Sequence, residues 1–238
     1  YCLSAKDGTL LWKRRGGPDD RKLLGNRAMI SRWPARGGAV VRDGVVYFAA
    51  GIWQSEGVFI YALDAKTGKT IWVNDDAGSL YMAQPHGGAD AESGVSAQGH
   101  LVVAEDLLLV PTGRAVPAAF DLKTGRFRYY HLQKNGAAGG SATMASGKYF
   151  FNSGVFFDAK TGAAKGKTGA TAIAGLPDGV VTASKKKLSV YRWVTANAKT
   201  GKKAAAPVRK LRPSFEIARV HTDQSVVVAG GQVVAGGP

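Results

Sequence analysis

Along this chain short apolar runs alternate with clusters of turn-forming residues, and within the runs the apolar positions recur every second residue. In YALDAKTGKTIW, Tyr61 to Trp72, the side chains of Tyr61, Leu63 and Ala65 fall on one face, as a period of two requires of a strand. A polar turn follows, then a short run ending on a large ring, so the segment predicts a tight β-hairpin. Asp64 can accept hydrogen bonds from backbone amides two residues on, and Gly68 supplies the positive φ that a tight reversal demands.

The same pattern recurs at YCLSAKDGTLLW, AAFDLKTGRFRY, VFFDAKTGAAKG and VTANAKTGKKAA. The shared glycines, Gly8, Gly68, Gly125, Gly162 and Gly201, lie 60, 57, 37 and 39 residues apart, periods that belong to propellers and solenoids. The final position holds Trp12, Trp72 and Tyr129, then Gly166 and Ala205. A ring there covers roughly 150–250 Å² of a neighbouring repeat. The last two repeats are therefore expected to pack less tightly, or to rely on other side chains.

Upstream of each hairpin lies a second apolar run: GVVYFAAG from Gly44, DLLLVPTG from Asp106, GKYFFNSG from Gly147, GVVTASKKK from Gly179 and QSVVVAGG from Gln224. Before the first sits GGAVV, Gly37 to Val41, joined to it through the turn residues Asp43 and Gly44. One repeat thus holds about four strands, which is one propeller blade. The predicted fold class is all-β, a β-propeller of four-stranded antiparallel blades, with about five blades' worth of chain. Residues 1–238 read as a single propeller domain. It is expected to be a fragment of a longer protein and a larger ring, because the chain opens on Tyr1 in mid-hairpin; the alternative is closure of the C-terminal strands on the N-terminal hairpin.

The succession of Leu or Phe, Asp, Ala, Lys, Thr, Gly, Lys and a following Trp resembles the pyrroloquinoline-quinone-type (PQQ-like) propeller repeat, best at Tyr61 to Trp72. That resemblance implies a propeller, and with it a periplasmic or cell-envelope location. For activity it implies either of two things, since such repeats occur in quinone-dependent dehydrogenases and in non-enzymatic envelope propellers such as the outer-membrane assembly lipoprotein. The enzymes pair adjacent cysteines near the cofactor and hold calcium with carboxylate and amide ligands. Here Cys2 is the one cysteine, so that pair cannot occur. Asp90 and Glu92 in GGADAESG are the carboxylates that could bind a hard cation.

Composition suits one globular domain, at 45% hydrophobic and 21% charged. No apolar run is long enough to span a membrane. The net charge is +15, and from Lys160 to Arg212 there are thirteen Lys or Arg against one acid, Asp178. Such a surface can hold polyanions in a salt-dependent way. Only Tyr191 and Trp193 offer rings for base stacking there, so nucleic acid is not expected as a partner.

The two long spacings come from insertions placed just after the motif's ring, Lys13 to Arg36 and Val73 to about Val95. In a four-stranded blade this connection runs from the outer strand to the next inner strand, so both insertions are expected on one face. Connections above roughly 12–15 residues are usually functional or disordered. The first, LGNRAMISRWPAR, carries Arg27, Arg32, Trp33 and Arg36; the second, SLYMAQPHGG, carries Tyr81, Gln84 and His86. Arg offers a planar fork for anions and Trp a flat apolar face, so these seven form the candidate ligand-binding set; the alternative is that Arg and Trp brace the insertions.

Catalytic signatures are missing. The four histidines are scattered without metal spacing, GAAKGKT from Gly162 is one residue short of a P-loop, and GVSAQG around Ser96 lacks the second glycine of a nucleophile elbow. The sequence reading is a non-catalytic binding scaffold without a cofactor, engaging a protein, glycan or other anionic partner through its loop-bearing face. The alternative is a quinone-dependent dehydrogenase.

Overall fold

The turn chemistry of the repeat is laid out atom by atom in the structure, a computed structural model. In the second copy Asp64 Oδ1 accepts from the Lys66 amide at 3.1 Å, the Thr67 amide at 2.7 Å and the Thr67 hydroxyl at 2.7 Å. In the third, Asp121 Oδ1 accepts from Lys123, Thr124 and the Thr124 hydroxyl at 3.2, 3.0 and 2.9 Å. Gly68 and Gly125 sit at φ +70° and +71°, and their amides close the turn on Asp64 O and Asp121 O at 2.8 Å. Burial works against the Asp121 charge, but the Arg128 guanidinium, the Thr124 hydroxyl and the two amides outweigh it and hold this carboxyl down at about 2. The Thr67 hydroxyl and amide likewise hold Asp64 below the usual carboxylate range.

The structure describes residues 1–25, 27–84, 87–113, 115–132, 140–152, 154–196, 199–200, 203–204, 208–218 and 224–237. By its internal contacts the chain divides into two compact units, Tyr1–Thr143 with Ala159–Gly162, and Met144–Asp158 with Ala163–Pro238.

The first unit opens with the hairpin of β1 (Cys2–Leu3) and β2 (Leu10–Trp12), followed by a second small hairpin, β3 (Lys22–Gly25) and β4 (Ala28–Ser31). Strands β5 (Ala35–Arg42), β6 (Val45–Ala50), β7 (Phe59–Asp64) and β8 (Thr70–Asn74) then make a four-stranded antiparallel meander. Its first turn is the predicted Asp43-Gly44 pair, with φ +49° and +75°, the backbone that a two-residue hairpin needs. A third small hairpin, β9 (Leu80–Ala83) and β10 (Asp90–Ser93), precedes the second meander of β11 (Val102–Ala104), β12 (Leu107–Val110), β13 (Ala115–Asp121) and β14 (Phe127–Leu132). The alternating positions of the two meanders meet in one core holding Tyr47, Ile60, Trp72, Leu101, Leu108, Val110 and Phe120.

The second unit holds a meander of β15 (Thr143–Ser146), β16 (Tyr149–Asn152), β17 (Val155–Asp158) and β18 (Ala164–Lys167). Next come β19 (Ala172–Leu176), β20 (Gly179–Ala183) and the long β21 (Lys187–Ala196), with a short pair β22 (Lys199–Thr200) and β23 (Lys203–Ala204) interposed before β24 (Val208–Ala218) closes a fourth sheet in the order β19-β20-β21-β24. The hairpin of β25 (Ser225–Ala229) and β26 (Gln232–Gly236) ends the chain, β25 lying near β19 and β20. The predicted blade unit is thus present four times among the described residues, and the fold class is all-β with propeller-type blades. Gly201 and Ala205 of the fifth motif copy lie outside the described residues.

The motif's ring has a specific destination. Trp12 Nε1 donates to Ala65 O at 3.0 Å, Trp72 Nε1 to Leu122 O at 3.1 Å and the Tyr129 hydroxyl to Ala159 O at 2.6 Å. Each acceptor is the residue just after the Asp that opens the turn of the next copy, Asp64, Asp121 and Asp158. A Cβ added at Gly68, Gly125 or Gly162 would collide with the ring of Trp12, Trp72 or Tyr129 respectively. The glycine is therefore needed twice, once for its φ and once as the floor for the preceding repeat's ring.

Candidate functional site

Both insertions pack on the β6–β7 connection, residues 51–58, whose middle is the 3-10 turn Gln54–Glu56. From the first insertion Trp33, only 4% exposed, donates its indole N–H to Glu56 O, and Arg32 pairs with the Glu56 carboxylate. From the second, Gly78 lies against Val58 and Gly94 against the Gln54 side chain, where an added Cβ would collide. The Val95 amide donates to Ala77 O at 3.0 Å and pins the base of this insertion. The two excursions therefore gather at one end of the first meander. They are β-hairpins rather than plain loops, and they are shorter than read from sequence: β5 begins at Ala35, so Arg36 is a strand residue, and β8 runs on to Asn74.

The seven sequence candidates scatter among different roles. Arg27 is exposed at positive φ, +64°, in the β3–β4 turn. Arg32 and Trp33 both bond to Glu56, and the guanidinium carbons of Arg21 and Arg32 stand 5.2 and 5.4 Å from the centroid of the Trp33 ring. Arg36 is half-buried in β5. Tyr81 projects from β9 at 70% exposure. Gln84 closes the β9–β10 hairpin, its side-chain amide donating to Met82 O at 2.9 Å and Ala91 O at 3.3 Å. His86 lies outside the described residues.

Of these, Gln84 lines a cavity of about 230 Å³ at the same end of the unit, together with Gln54, Ser96, Gln98, Thr112 and Tyr130. Gln54 comes from the β6–β7 connection, Ser96 and Gln98 from the segment leading to β11, and Thr112 from the β12–β13 connection. Two of its hydroxyls are stranded: Ser96 Oγ and Thr112 Oγ1 are buried with no hydrogen-bond partner among the described residues, and Thr112 is 5% exposed. Buried polar groups are almost always bonded, so these two hydroxyls call for a partner that the described residues do not supply. No carboxylate, imidazole, thiol or cationic side chain is among the described lining residues. The arrangement can donate and accept hydrogen bonds but cannot move a proton at neutral pH or compensate a full charge.

Sequence reasoning noticed Ser96 and Gln98 in GVSAQG only as a failed nucleophile elbow, and passed over Gln54 and Thr112. A polar residue interrupting the apolar run DLLLVPTG was the signal available for Thr112. Asp90 and Glu92, on β10, do not form a cation site with a third ligand: Glu92 accepts from Ser79 Oγ at 2.7 Å, and no metal-binding group of three occurs among the described residues. The cavity's volume is below the roughly 300–1,000 Å³ of pockets that enclose drug-sized ligands.

These observations define a protein built of propeller-type blades with a small neutral cavity among its connections. No model of a known family matches the chain, nor does any curated protein. Among solved structures it is similar to BamB from Moraxella catarrhalis, at 16% identity over 71% of this chain and 48% of that one, with a TM-score of 0.44. It is similar also to a quinohemoprotein alcohol dehydrogenase from Pseudomonas putida HK5, at 18% identity, 68% and 29% coverage and a TM-score of 0.41. A europium-containing methanol dehydrogenase aligns at 12% identity over 96% of this chain and 60% of its own, with a TM-score of 0.44. The chain spans less than two thirds of each of these proteins.

Proposed function

We propose that the chain is a non-catalytic binding module of the cell envelope that engages a protein partner through its hairpin-bearing face, one uncharged polar side chain of the partner entering the cavity at Ser96 and Thr112. The observation that carries this reading is the pair of stranded hydroxyls. A neutral, hydrogen-bonding group of one side chain's size matches both the cavity's volume and its lack of charge. The surrounding surface supports a macromolecular partner: Leu24, Met29, Trp53 and Tyr81 are exposed at 75, 62, 41 and 70% on the two hairpins and the connection they pack against. Exposed aromatic and Met side chains of this kind are the residues that dominate protein interfaces. The reading assigns no cofactor and no catalytic residue, and the envelope setting is the one that the repeat's resemblance implies.

The test places a photocrosslinking amino acid at position 81 in cells that make the protein. A discrete protein adduct is expected, and it should vanish when Gln98→Trp, at an exposed position on the cavity's edge, fills the cavity. An adduct indifferent to the plug, or selective binding on a glycan array instead, overturns the reading. The dehydrogenase alternative is tested by absorbance of the purified protein with added quinone and calcium, where a retained equivalent of quinone would favour an enzyme.

A further inference from the structure

The repeat's ring is missing at Gly166, and the second unit shows what stands there. Gly166 on β18 pairs with Phe156 on β17, and the Phe156 ring lies across the space that a Cβ at Gly166 would occupy. This is one of the substitute contacts foreseen for a repeat without its ring. It leaves a cleft of about 440 Å³ between the third and fourth sheets, lined by Tyr149, Phe156, Tyr191 and Trp193 with Lys165, Lys167 and Lys210. The volume falls within the range of cavities that enclose small organic ligands, roughly 300–1,000 Å³.

The floor is rigid and flat. Tyr149 and Trp193 stack at 4.7 Å with 19° between their planes, and Trp193 Nε1 donates to Ser146 Oγ at 2.8 Å, which in turn donates to Gly179 O at 2.9 Å. Tyr191 and Trp193 project to one side of β21, because residues two apart share a face, and so do Lys165 and Lys167 on β18. The third lysine comes from β24. None of the three shows an ion-pair partner among the described residues, whereas Asp178 and Glu216 are engaged by Arg192 and Lys187. No carboxylate is among the described residues lining the cleft. Three ammonium groups around an aromatic floor favour a ligand that is itself flat and negatively charged, since stacking and charge attraction then act together.

We infer that this cleft is a second binding site, specific for a small planar aromatic anion, that is, an aromatic ring system bearing a carboxylate or phosphate. It is independent of the cavity at Ser96 and Thr112. Both the residue pattern and the ligand class differ.

The intact chain is titrated at low ionic strength with 2-naphthoate, with neutral 2-naphthalenemethanol, with adenosine monophosphate and with inorganic phosphate, following Trp fluorescence. Naphthoate should bind at least tenfold more tightly than the neutral alcohol. The preference should fall several-fold at high salt and disappear in Lys165→Gln/Lys167→Gln/Lys210→Gln, whose changes are all at exposed positions. Trp193→Phe should abolish the fluorescence response while Trp53→Phe leaves it intact. Displacement of naphthoate by adenosine monophosphate assigns the ligand to nucleotides, and failure to displace it assigns the ligand to aromatic acids. Equal binding of the neutral alcohol, or phosphate competing as well as naphthoate, or no binding of naphthoate, would overturn the inference.

Discussion

Replacing Thr112 by Val should make the free protein more stable and its binding weaker. The exchange keeps the shape of the side chain and swaps a hydroxyl for a methyl. Thr112 is 5% exposed and its Oγ1 has no hydrogen-bond partner among the described residues, so folding strips that hydroxyl of solvent with none of those groups in return. A stranded buried hydroxyl costs about 1–3 kcal/mol, and a buried methyl contributes about 0.8 kcal/mol of its own. Because the hydroxyl borders a cavity that water can enter, the lower end applies, and a gain of about 1 kcal/mol is expected. In a unit of this size that raises the melting temperature by about 2–4 °C. The partner meanwhile loses one hydrogen bond, about 1 kcal/mol, so its dissociation constant should rise roughly fivefold. Calorimetric melting gives the first number and titration with the captured partner gives the second. Thr112→Ser, which keeps the hydroxyl and loses the methyl, should lower the melting temperature and leave the dissociation constant unchanged. If Thr112→Val lowers the melting temperature, the hydroxyl is satisfied within the folded chain and the argument for a ligand at this cavity is refuted.

Three further outcomes test the architecture. Trp72→Ala removes a ring 9% exposed together with its bond to Leu122 O, and should cost about 3–5 kcal/mol in chemical denaturation; a wild-type midpoint would mean the ring does not dock. Gly44→Ala and Gly125→Ala impose the same positive φ, worth about 1–2 kcal/mol, but only at Gly125 does the new Cβ also meet the Trp72 ring, so Gly125→Ala should melt clearly lower, and equal losses would remove the floor role. Asp121 titrates near 2 in the folded chain against about 3.8 unfolded, so its contribution is full above pH 4 and is lost as pH falls from about 4 to 2; Asp121→Asn should be less stable at pH 7 and should show a shallower stability loss across that window.

What the sequence made legible was local. Strand alternation, the Asp and Thr that close the turn, and the glycine's φ all act within a few residues, and each stands where the pattern put it. What it hid was remote. The rings at 12, 72 and 129 were read as covers for apolar surface, but their polar ends bind carbonyls 53, 50 and 30 residues away, which no spacing reveals. Arg32 and Trp33 have the chemistry of a ligand pair, and both bond to Glu56, whose place beside them only the fold determines. That Ser96 and Thr112 share one cavity was hidden for the same reason, since a lone hydroxyl acquires meaning only when two connections converge. The cleft in the second unit took its extra rings, Tyr149 and Phe156, from outside the basic segment in which aromatics were counted.

The geometry also separates stability from recognition. Strand β13 starts after the connection that carries Thr112 and ends at the turn whose Gly125 receives the Trp72 ring, so its seven residues, at about 3.4 Å per step, hold the two some 20 Å apart. Effects at sites this far apart, with no shared partners, add independently. Gly125→Ala should therefore lower the melting temperature and leave partner affinity unchanged, while Gln98→Trp should do the opposite, and the double variant should show both losses in full. A coupling of more than about 0.5 kcal/mol between them would mean that the docking turns help to shape the cavity, and that the blade contacts belong to the binding site rather than only to its support.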